Sequence, residues 1–268
     1  MGDKAKKPDE APAPAFPDYM LDPDAVAKDK VAWRYGSPPD YTVTRQMWAK
    51  GMIPPKSPTF PVHVLQTKAS STEKRSRHEA GSLETLVENL VKNWEVEASH
   101  KMHVSDWRTV DQEKYTFAIN GGPAQDAQHM LKVGTYSAVI AANKYYSPQH
   151  FDFEESHKAF RDMMPNFAWE VLEVYSGPPT VVFKWRHWGW MKGDYVGKNE
   201  EGVTVTIKSH GAVLDIQGVT VAKLNDEFQV TSLETWFDPM DFFNQMKPSK
   251  ETMTTNHMQC PLGYKAEL

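Results

Sequence analysis

One stretch near the middle of the chain, residues 167–193, constrains the fold more than any other. It contains two runs of β-branched and aromatic residues on either side of Ser176-Gly177-Pro178-Pro179, which predicts two strands joined by a tight connection. In the second run, strand alternation separates two faces, one with Val181, Phe183, Trp185 and His187, the other with Val182, Lys184, Arg186 and Trp188. Because neither face is simply polar, we expect both to be covered, at the centre of a strongly curved sheet.

Helical patterns precede this pair of strands, and further strand patterns follow it. Apolar spacing predicts helices starting at Ser82, over residues 125–142 and after Asp152, where Glu155 completes a capping signal. Alternation over 203–208, 219–224 and 228–236 predicts an antiparallel meander, and Asp238-Pro239 predicts the start of a closing helix. This order indicates an α+β fold, with helices packed on a curved antiparallel sheet.

The ends of the chain differ in composition from its centre. Residues 1–32 begin with an Ala/Pro/Lys/Asp-rich run and are predicted to be a disordered or loosely held tail. Residues 33–80 are predicted to form an extended arm and linker, docked by its aromatic side chains as far as residue 61. Residues 81–247 would form the folded domain, and residues 248–268 a C-terminal tail.

Composition argues against several functional classes. The net charge of -5, without a basic cluster, gives no support for nucleic-acid binding. No apolar run approaches the roughly 20 residues that span a bilayer, so no membrane role is expected. The single cysteine, Cys260, fits a reducing, cytoplasmic location. His100 and His103 lack a third ligand of suitable spacing, and phosphate-binding glycine motifs are absent from the sequence, so we expect neither metal nor cofactor.

The candidate pocket lies inside the curved sheet. Its predicted wall consists of Trp94, Glu97, Tyr115, Trp185 and His187. Glu97 continues the apolar stripe of the first helix, and the unperturbed pKa of a histidine such as His187 lies near neutral pH, so these two form the candidate acid–base pair. The alternatives are that Glu97 pairs with Lys101 and that His187 is a satisfied interface histidine. If Trp185 and His187 instead point outward, Arg186 faces inward and an acidic ligand is implied.

Five segments carry a resemblance to a known family. They are SPPDY at 37–41, GSLETLVENLVKNWEVE at 81–97, KYTFAING at 114–121, FAWEVLEVYSGPPTVVFKWRHWG at 167–189 and ETWFDP at 234–239. With them the chain resembles the pathogen-related proteins of plants and their fungal counterparts. The order of its elements resembles the cone-shaped fold of nuclear transport factor 2-like proteins, SnoaL-like polyketide cyclases and ketosteroid isomerase.

The resemblance implies a cone whose interior takes a hydrophobic small molecule. Some relatives with this fold isomerise, cyclise or dehydrate such ligands with an Asp/His acid–base pair. Here the corresponding positions hold Thr235 and Val221, so that pair is not carried over. The fold also implies a homodimer through the outer face of the sheet, where Val182, Trp188 and Trp236 are expected to be exposed.

Two functions are therefore compatible with the sequence. The first is a cytoplasmic protein that binds a hydrophobic metabolite and turns it over as a cofactor-free isomerase, cyclase or lyase. The second is a non-catalytic protein of stress or pathogen response that uses the sheet for dimerisation or partner binding. A titratable side chain facing an enclosed cavity would favour the first, and a cavity filled by aromatic side chains would favour the second.

Overall fold

The structure, a computed structural model, describes residues 15–41 and 74–247. Predictions for residues 1–14, 42–73 and 248–268, which include most of the aromatic arm and the C-terminal tail, lie outside the described residues. Within the described ranges, no helix is both long enough and apolar enough to cross a lipid bilayer.

The helices of the described residues pack around one sheet. They are α1 (Asp18–Leu21), α2 (Leu83–His100), α3 (Ala127–Val133), α4 (Thr135–Val139), α5 (Phe153–Met163) and α6 (Pro239–Gln245), with short 3-10 helices at Val26–Lys28, Val104–Asp106 and Pro148–His150. The strands are β1 (Thr116–Ile119), β2 (Gln125–Asp126), β3 (Ala168–Ser176), β4 (Thr180–Trp190), β5 (Tyr195–Lys198), β6 (Thr204–Ile207), β7 (Val213–Leu224) and β8 (Val230–Phe237).

The capping signals read from the sequence are confirmed. The Ser82 hydroxyl accepts a hydrogen bond from the backbone N–H of Thr85 at 3.3 Å, and Asp152 and Glu155 form a capping box at the start of α5. Such caps satisfy backbone N–H groups that the first helical turn leaves without partners. Asp238 does the same for α6, since its side chain accepts from the N–H of Met240.

The helix predicted over 125–142 is instead two short helices. They are separated at Gly134, which has a φ of +88°, a conformation that favours glycine over other residues. A Cβ at this position would lie 2.9 Å from the Ser156 hydroxyl and 3.3 Å from the Cα of Phe153. The prediction of one continuous helix was wrong because Gly134 lets the backbone pass close to α5.

The main sheet has the strand order β2-β1-β8-β7-β4-β3. Its pairs are antiparallel except β1 with β8, which is parallel, so the sheet is mixed rather than purely antiparallel as predicted. Strand β6 does not join the meander, because it pairs with β5 in a separate two-stranded sheet. The observed architecture is otherwise the α+β arrangement that the sequence indicated.

Gly218 lies inside β7. A Cβ there would come within 2.3 Å of the Trp185 indole, so glycine is needed for the ring to lie across the neighbouring strand. The same close approach places Trp185 flat on the inner side of the sheet. The glycine thus serves packing against an aromatic ring rather than a bend.

The described part of the N-terminal segment, residues 15–32, packs along α2, with Met20 and Val26 essentially inaccessible to solvent. The side chain of Asn93 accepts from the N–H of Val26 at 3.0 Å and donates to the carbonyl of Tyr19 at 2.9 Å. By forming hydrogen bonds with backbone groups of Tyr19 and Val26, the buried Asn93 amide holds the segment against α2. The composition of the first residues did not indicate this contact.

The predicted dimer surface needs one correction, because Trp188 on the outer face of β4 is buried. Trp188 is only 2% exposed, and the guanidinium of Arg186 lies 4.1 Å from its ring centroid. Arg186 is itself fully buried and is paired with Glu170 at 3.0 Å and Asp215 at 2.9 Å. Trp236 on β8, by contrast, is 41% exposed. A homodimer stays a prediction, and Trp236 rather than Trp188 is the side chain with which to test it.

Candidate functional site

A cavity of about 660 Å³ lies between the inner face of the sheet and the helices. The strands contribute mostly apolar side chains to its wall, among them Phe117, Ile119, Trp169, Val181, Phe183, Trp185, Ile216, Ala222, Leu233 and Phe237. The helices close it with Val87, Leu90, Val91, Trp94, Tyr136, Val139 and Phe242. Residues 37–41 of the N-terminal segment also reach the wall.

The structure divides the predicted pocket residues into two groups. Trp94, Trp185 and His187 lie on the cavity wall, so this face of β4 points into the cavity. Glu97 and Tyr115 do not belong to the wall formed by the described residues. Tyr115 lies behind it, where its hydroxyl accepts a hydrogen bond from the Trp94 indole at 3.1 Å. It therefore supports the orientation of Trp94 instead of facing a ligand.

Glu97 is held in a closed set of structural contacts. Its fully buried carboxylate pairs with Lys101 Nζ at 2.9 Å and accepts from the backbone N–H groups of Arg108 at 2.8 Å and Thr109 at 3.0 Å. The Thr109 hydroxyl donates to it as well. Because both oxygens of its carboxylate have hydrogen-bond partners, Glu97 holds residues 108–109 against α2. The predicted Glu97–His187 pair does not meet in the cavity.

Glu95, two residues earlier on α2, is the carboxyl of this helix that reaches the cavity. It is rotated from Glu97 by about 200° around the helix axis, and it follows Val87 and Val91 at steps of four residues on the cavity side. The Tyr41 hydroxyl donates to Glu95 Oε2 at 2.9 Å. Burial raises the pKa of Glu95, opposed by hydrogen bonds from Tyr41 and Ser99 and by the charge of Arg161.

The spacing of Val87, Val91 and Glu95 is the signal that could have identified Glu95. A helix face is shared by residues i, i+4 and i+8, and this set carries the cavity stripe to a carboxyl. The sequence interpretation followed Leu90 and Trp94 to Glu97 instead. Both routes are allowed by helical spacing, and only contacts made in the folded chain decide between them.

Two histidines lie beside Glu95 at the same end of the cavity. The Tyr41 hydroxyl is 3.4 Å from His100 Nε2, while His157 contacts the Thr135 hydroxyl at 2.6 Å through Nε2 and the Tyr35 hydroxyl at 3.2 Å through Nδ1. Burial lowers the pKa of His100 to about 4 and that of His157 to about 3, helped by nearby positive charge. Both imidazoles are therefore neutral at pH 7.

His187 occupies the sheet side of the cavity. Its Nδ1 donates to the carbonyl oxygen of Ala168 at 2.6 Å, and its ring stacks on Phe167 with centroids 3.3 Å apart. Because a carbonyl oxygen only accepts, the proton is on Nδ1 and Nε2 carries the lone pair. Burial lowers the pKa of His187 to about 4, partly opposed by the bond to Ala168.

Three hydrogen-bonded side chains on neighbouring strands line the sheet side of the cavity. The Trp185 indole donates to the Thr220 hydroxyl at 3.0 Å, and that hydroxyl lies 2.8 Å from the hydroxyl of Thr235. Both threonines belong to the wall. Thr235 stands where the resemblance places a catalytic acid in the cyclases, so this part of the cavity offers hydrogen bonds without a titratable group.

Comparisons with known proteins agree with the sequence resemblance. No protein-family model matches the chain. The pathogen-related protein of Hordeum vulgare is 27% identical over 221 residues, which cover 80% of this chain and 81% of the barley protein.

Solved structures of low similarity were also found. A candidate polyketide cyclase from Acidithiobacillus ferrooxidans is 16% identical, with a TM-score of 0.36 over 63% of this chain and 97% of that chain. A nuclear transport factor 2-like protein of unknown function from Cytophaga hutchinsonii is 14% identical, with a TM-score of 0.28 over 58% of this chain and 92% of that chain. By sequence, the chain is thus similar to the pathogen-related proteins across four-fifths of its length.

Proposed function

We propose that this protein binds a hydrophobic small molecule in the cavity and that Glu95 exchanges a proton with it. The observation that carries the proposal is a carboxyl, hydrogen-bonded by Tyr41, in the wall of an otherwise apolar chamber. Glu95 takes the role that the sequence assigned to Glu97, and His187 keeps its proposed role as partner. The reaction class is cofactor-free isomerisation, cyclisation or dehydration in the cytoplasm.

The size and composition of the chamber support ligand binding. Its volume of about 660 Å³ lies within the range of roughly 300–1,000 Å³ typical of small-molecule sites. Aromatic and aliphatic side chains supply the area that a hydrophobic ligand would bury, and a few polar groups would fix its orientation. The cavity is not filled by its own tryptophans, although Trp94 and Trp185 both contribute to the wall.

The polar groups support proton transfer. Because burial raises the pKa of Glu95, its protonated and ionised forms lie closer in free energy at neutral pH than those of an exposed glutamate. Such a carboxyl can take a proton from one atom of a ligand and return it to another, a step shared by isomerisation, cyclisation and dehydration. Neutral His187, with its lone pair on Nε2, adds a hydrogen-bond acceptor at the opposite wall.

A non-catalytic role in stress or pathogen response is the second candidate. Thr235 and Val221 replace the acid and the histidine expected from the cyclases, and the barley relative is named for its relation to pathogens. In this case the cavity would hold a ligand without converting it. The two functions differ in whether a bound metabolite is changed, which native mass spectrometry of protein purified from its own source can follow.

Binding is tested with N-phenylnaphthylamine, a neutral dye that fluoresces in apolar surroundings, and two matched variants. Val181 is on the cavity wall, and its neighbour Val182 is on the opposite face of β4. Val181→Trp should fill part of the chamber and weaken dye binding by at least about tenfold, which corresponds to about 1.4 kcal/mol. Val182→Trp should leave the affinity nearly unchanged. Equal losses in both variants, or no dye binding by the unmodified protein, would contradict the proposal.

Proton transfer is tested with Glu95→Gln once a metabolite has been identified. The amide keeps the shape of the side chain but cannot accept or release the proton. We expect binding of the metabolite to be retained and its conversion to be lost. Full conversion by the Gln variant would leave Glu95 as a binding group only.

A further inference from the structure

The polar end of the cavity carries a positively charged side chain, Arg161. Arg161 on α5 belongs to the cavity wall and is exposed. Among the residues that the structure describes, no carboxylate lies within ion-pair distance of its guanidinium, whose recorded contact is with the Tyr35 ring at 5.7 Å. The other lysine or arginine of the wall, Lys92, is already paired with Glu88 at 2.6 Å.

Carboxylates lie near Arg161 without pairing with it: Asp152 and Glu154 act electrostatically on Tyr35, but neither forms an ion pair with the Arg161 guanidinium among the described residues. Glu95, His100 and His157 face the same end of the cavity, and Arg161 acts electrostatically on all three. The two histidines are neutral at pH 7, and burial disfavours the ionised form of Glu95. Asp40 is also on the wall but has interactions of its own. Arg34, close enough to lower the histidine pKa values, adds further positive charge.

We propose that the ligand is a hydrophobic carboxylic acid, with its apolar body in the chamber and its carboxylate at Arg161. This inference rests on the proposed function, because it specifies which small molecules the same cavity accepts. A guanidinium at the edge of an apolar chamber can bind a carboxylate through two parallel N–H groups. The Tyr35 ring lies beside it, with its centroid 5.7 Å from the guanidinium carbon, and the Tyr35 hydroxyl adds a polar group at this end of the cavity.

A different role for Arg161 leads to a different result. Its charge also lowers the pKa of Glu95, so it could serve only to keep that carboxyl ionised. In that case Arg161 would have no preference for acids over neutral ligands of the same shape. Comparison of an acid with the corresponding alcohol separates the two roles.

The experiment measures displacement of N-phenylnaphthylamine by lauric acid and by lauryl alcohol at pH 7. The two compounds share one apolar chain and differ in the charged head group. We expect the acid to bind at least about tenfold more tightly than the alcohol, as one charge-assisted contact of about 1.5 kcal/mol would give. Arg161→Gln should remove this preference and leave the affinity for the alcohol unchanged.

Lys158→Gln is the matched control, since Lys158 lies on the same helix but is 73% exposed and paired with Asp162. It should retain the preference for the acid. Equal affinities of acid and alcohol in the unmodified protein, or loss of the preference in Lys158→Gln as well, would overturn the inference while leaving ligand binding intact. Failure of the dye, the acid and the alcohol to bind would overturn both proposals.

Discussion

Two glutamates on the same helix, Glu95 and Glu97, occupy opposite surroundings. Glu97 is fully enclosed and accepts from a lysine, two backbone N–H groups and a hydroxyl. Glu95 faces a cavity, and hydrogen bonds from Tyr41 and Ser99 are the contacts that hold it. The charge of Glu97 is compensated by its neighbours in the fold, whereas the carboxyl of Glu95 can still form a hydrogen bond with a ligand.

The comparison shows how a carboxyl group that stabilises the fold differs from one that is available for proton transfer. Burial alone does not distinguish them, since both side chains are removed from bulk water. A buried charge with a cation and several donors belongs to the scaffold, and its partners depend on it. A desolvated carboxyl held only by hydroxyl groups has a raised pKa and remains available for proton transfer.

The largest expected effect is on stability, from Glu97→Gln. It leaves the ammonium of Lys101, which is fully buried, without its partner on the helix, although Asp29 still contacts it at 2.7 Å. We expect the free energy of unfolding to fall by about 3–5 kcal/mol, the usual result of breaking a buried pair. Urea unfolding measures it, with Glu95→Gln as the control. A loss below that of the control would show that Glu97 is not the structural carboxyl of the two.

A smaller effect is expected from acid, which charges the buried histidines. The folded-state pKa values of about 4 for His100 and His187 and about 3 for His157 lie below the 6.5 of an ordinary histidine. The unfolded chain therefore binds more protons between these values, and stability is lost as the pH falls from 6.5 towards 4.

His187→Asn tests this acid sensitivity. The amide can still donate to the Ala168 carbonyl but does not titrate, so we expect it to remove about 3 kcal/mol of the loss between neutral pH and pH 4. Urea unfolding at a series of pH values measures the slope. His103→Asn, which replaces an exposed histidine, is the control. An unchanged slope in the His187 variant would show that this imidazole is charged in the folded state.

The smallest effect is the stability change from Glu95→Gln, and its sign depends on pH. Because burial raises the pKa of Glu95, the folded state binds more protons than the unfolded state between the ordinary and the raised value. Stability of the unmodified protein should thus fall as the pH rises through this window. The Gln variant should match it in acid and be slightly more stable at neutral pH. A variant that is less stable at neutral pH would mean that Glu95 is compensated like Glu97.

Much of the fold could be predicted from local sequence chemistry. The caps at Ser82, Asp152 and Asp238 and the pairing of β3 with β4 follow from neighbouring residues alone. The break at Gly134 and the parallel pairing of β1 with β8 depend on contacts between distant segments, which periodicity does not contain.

The site was predictable only in part, for a similar reason. Alternation along β4 placed Trp185 and His187 correctly on the inner face. It could not decide between Glu95 and Glu97, because both lie near the edge of the apolar stripe of α2. Lys101 and the 108–109 backbone decide it by enclosing Glu97, and those contacts exist only in the folded chain.

The most direct test of this account is the pKa of Glu95 itself. Protein labelled with ¹³C at the glutamate carboxyl carbons can be titrated by NMR, with Glu95→Gln and Glu97→Gln used to assign the two signals. We predict that Glu95 titrates above the ordinary range of glutamate and that its signal shifts when N-phenylnaphthylamine fills the chamber. A Glu95 pKa at or below the ordinary value, together with a signal that does not respond to the dye, would contradict the assignment of Glu95 as the functional carboxyl.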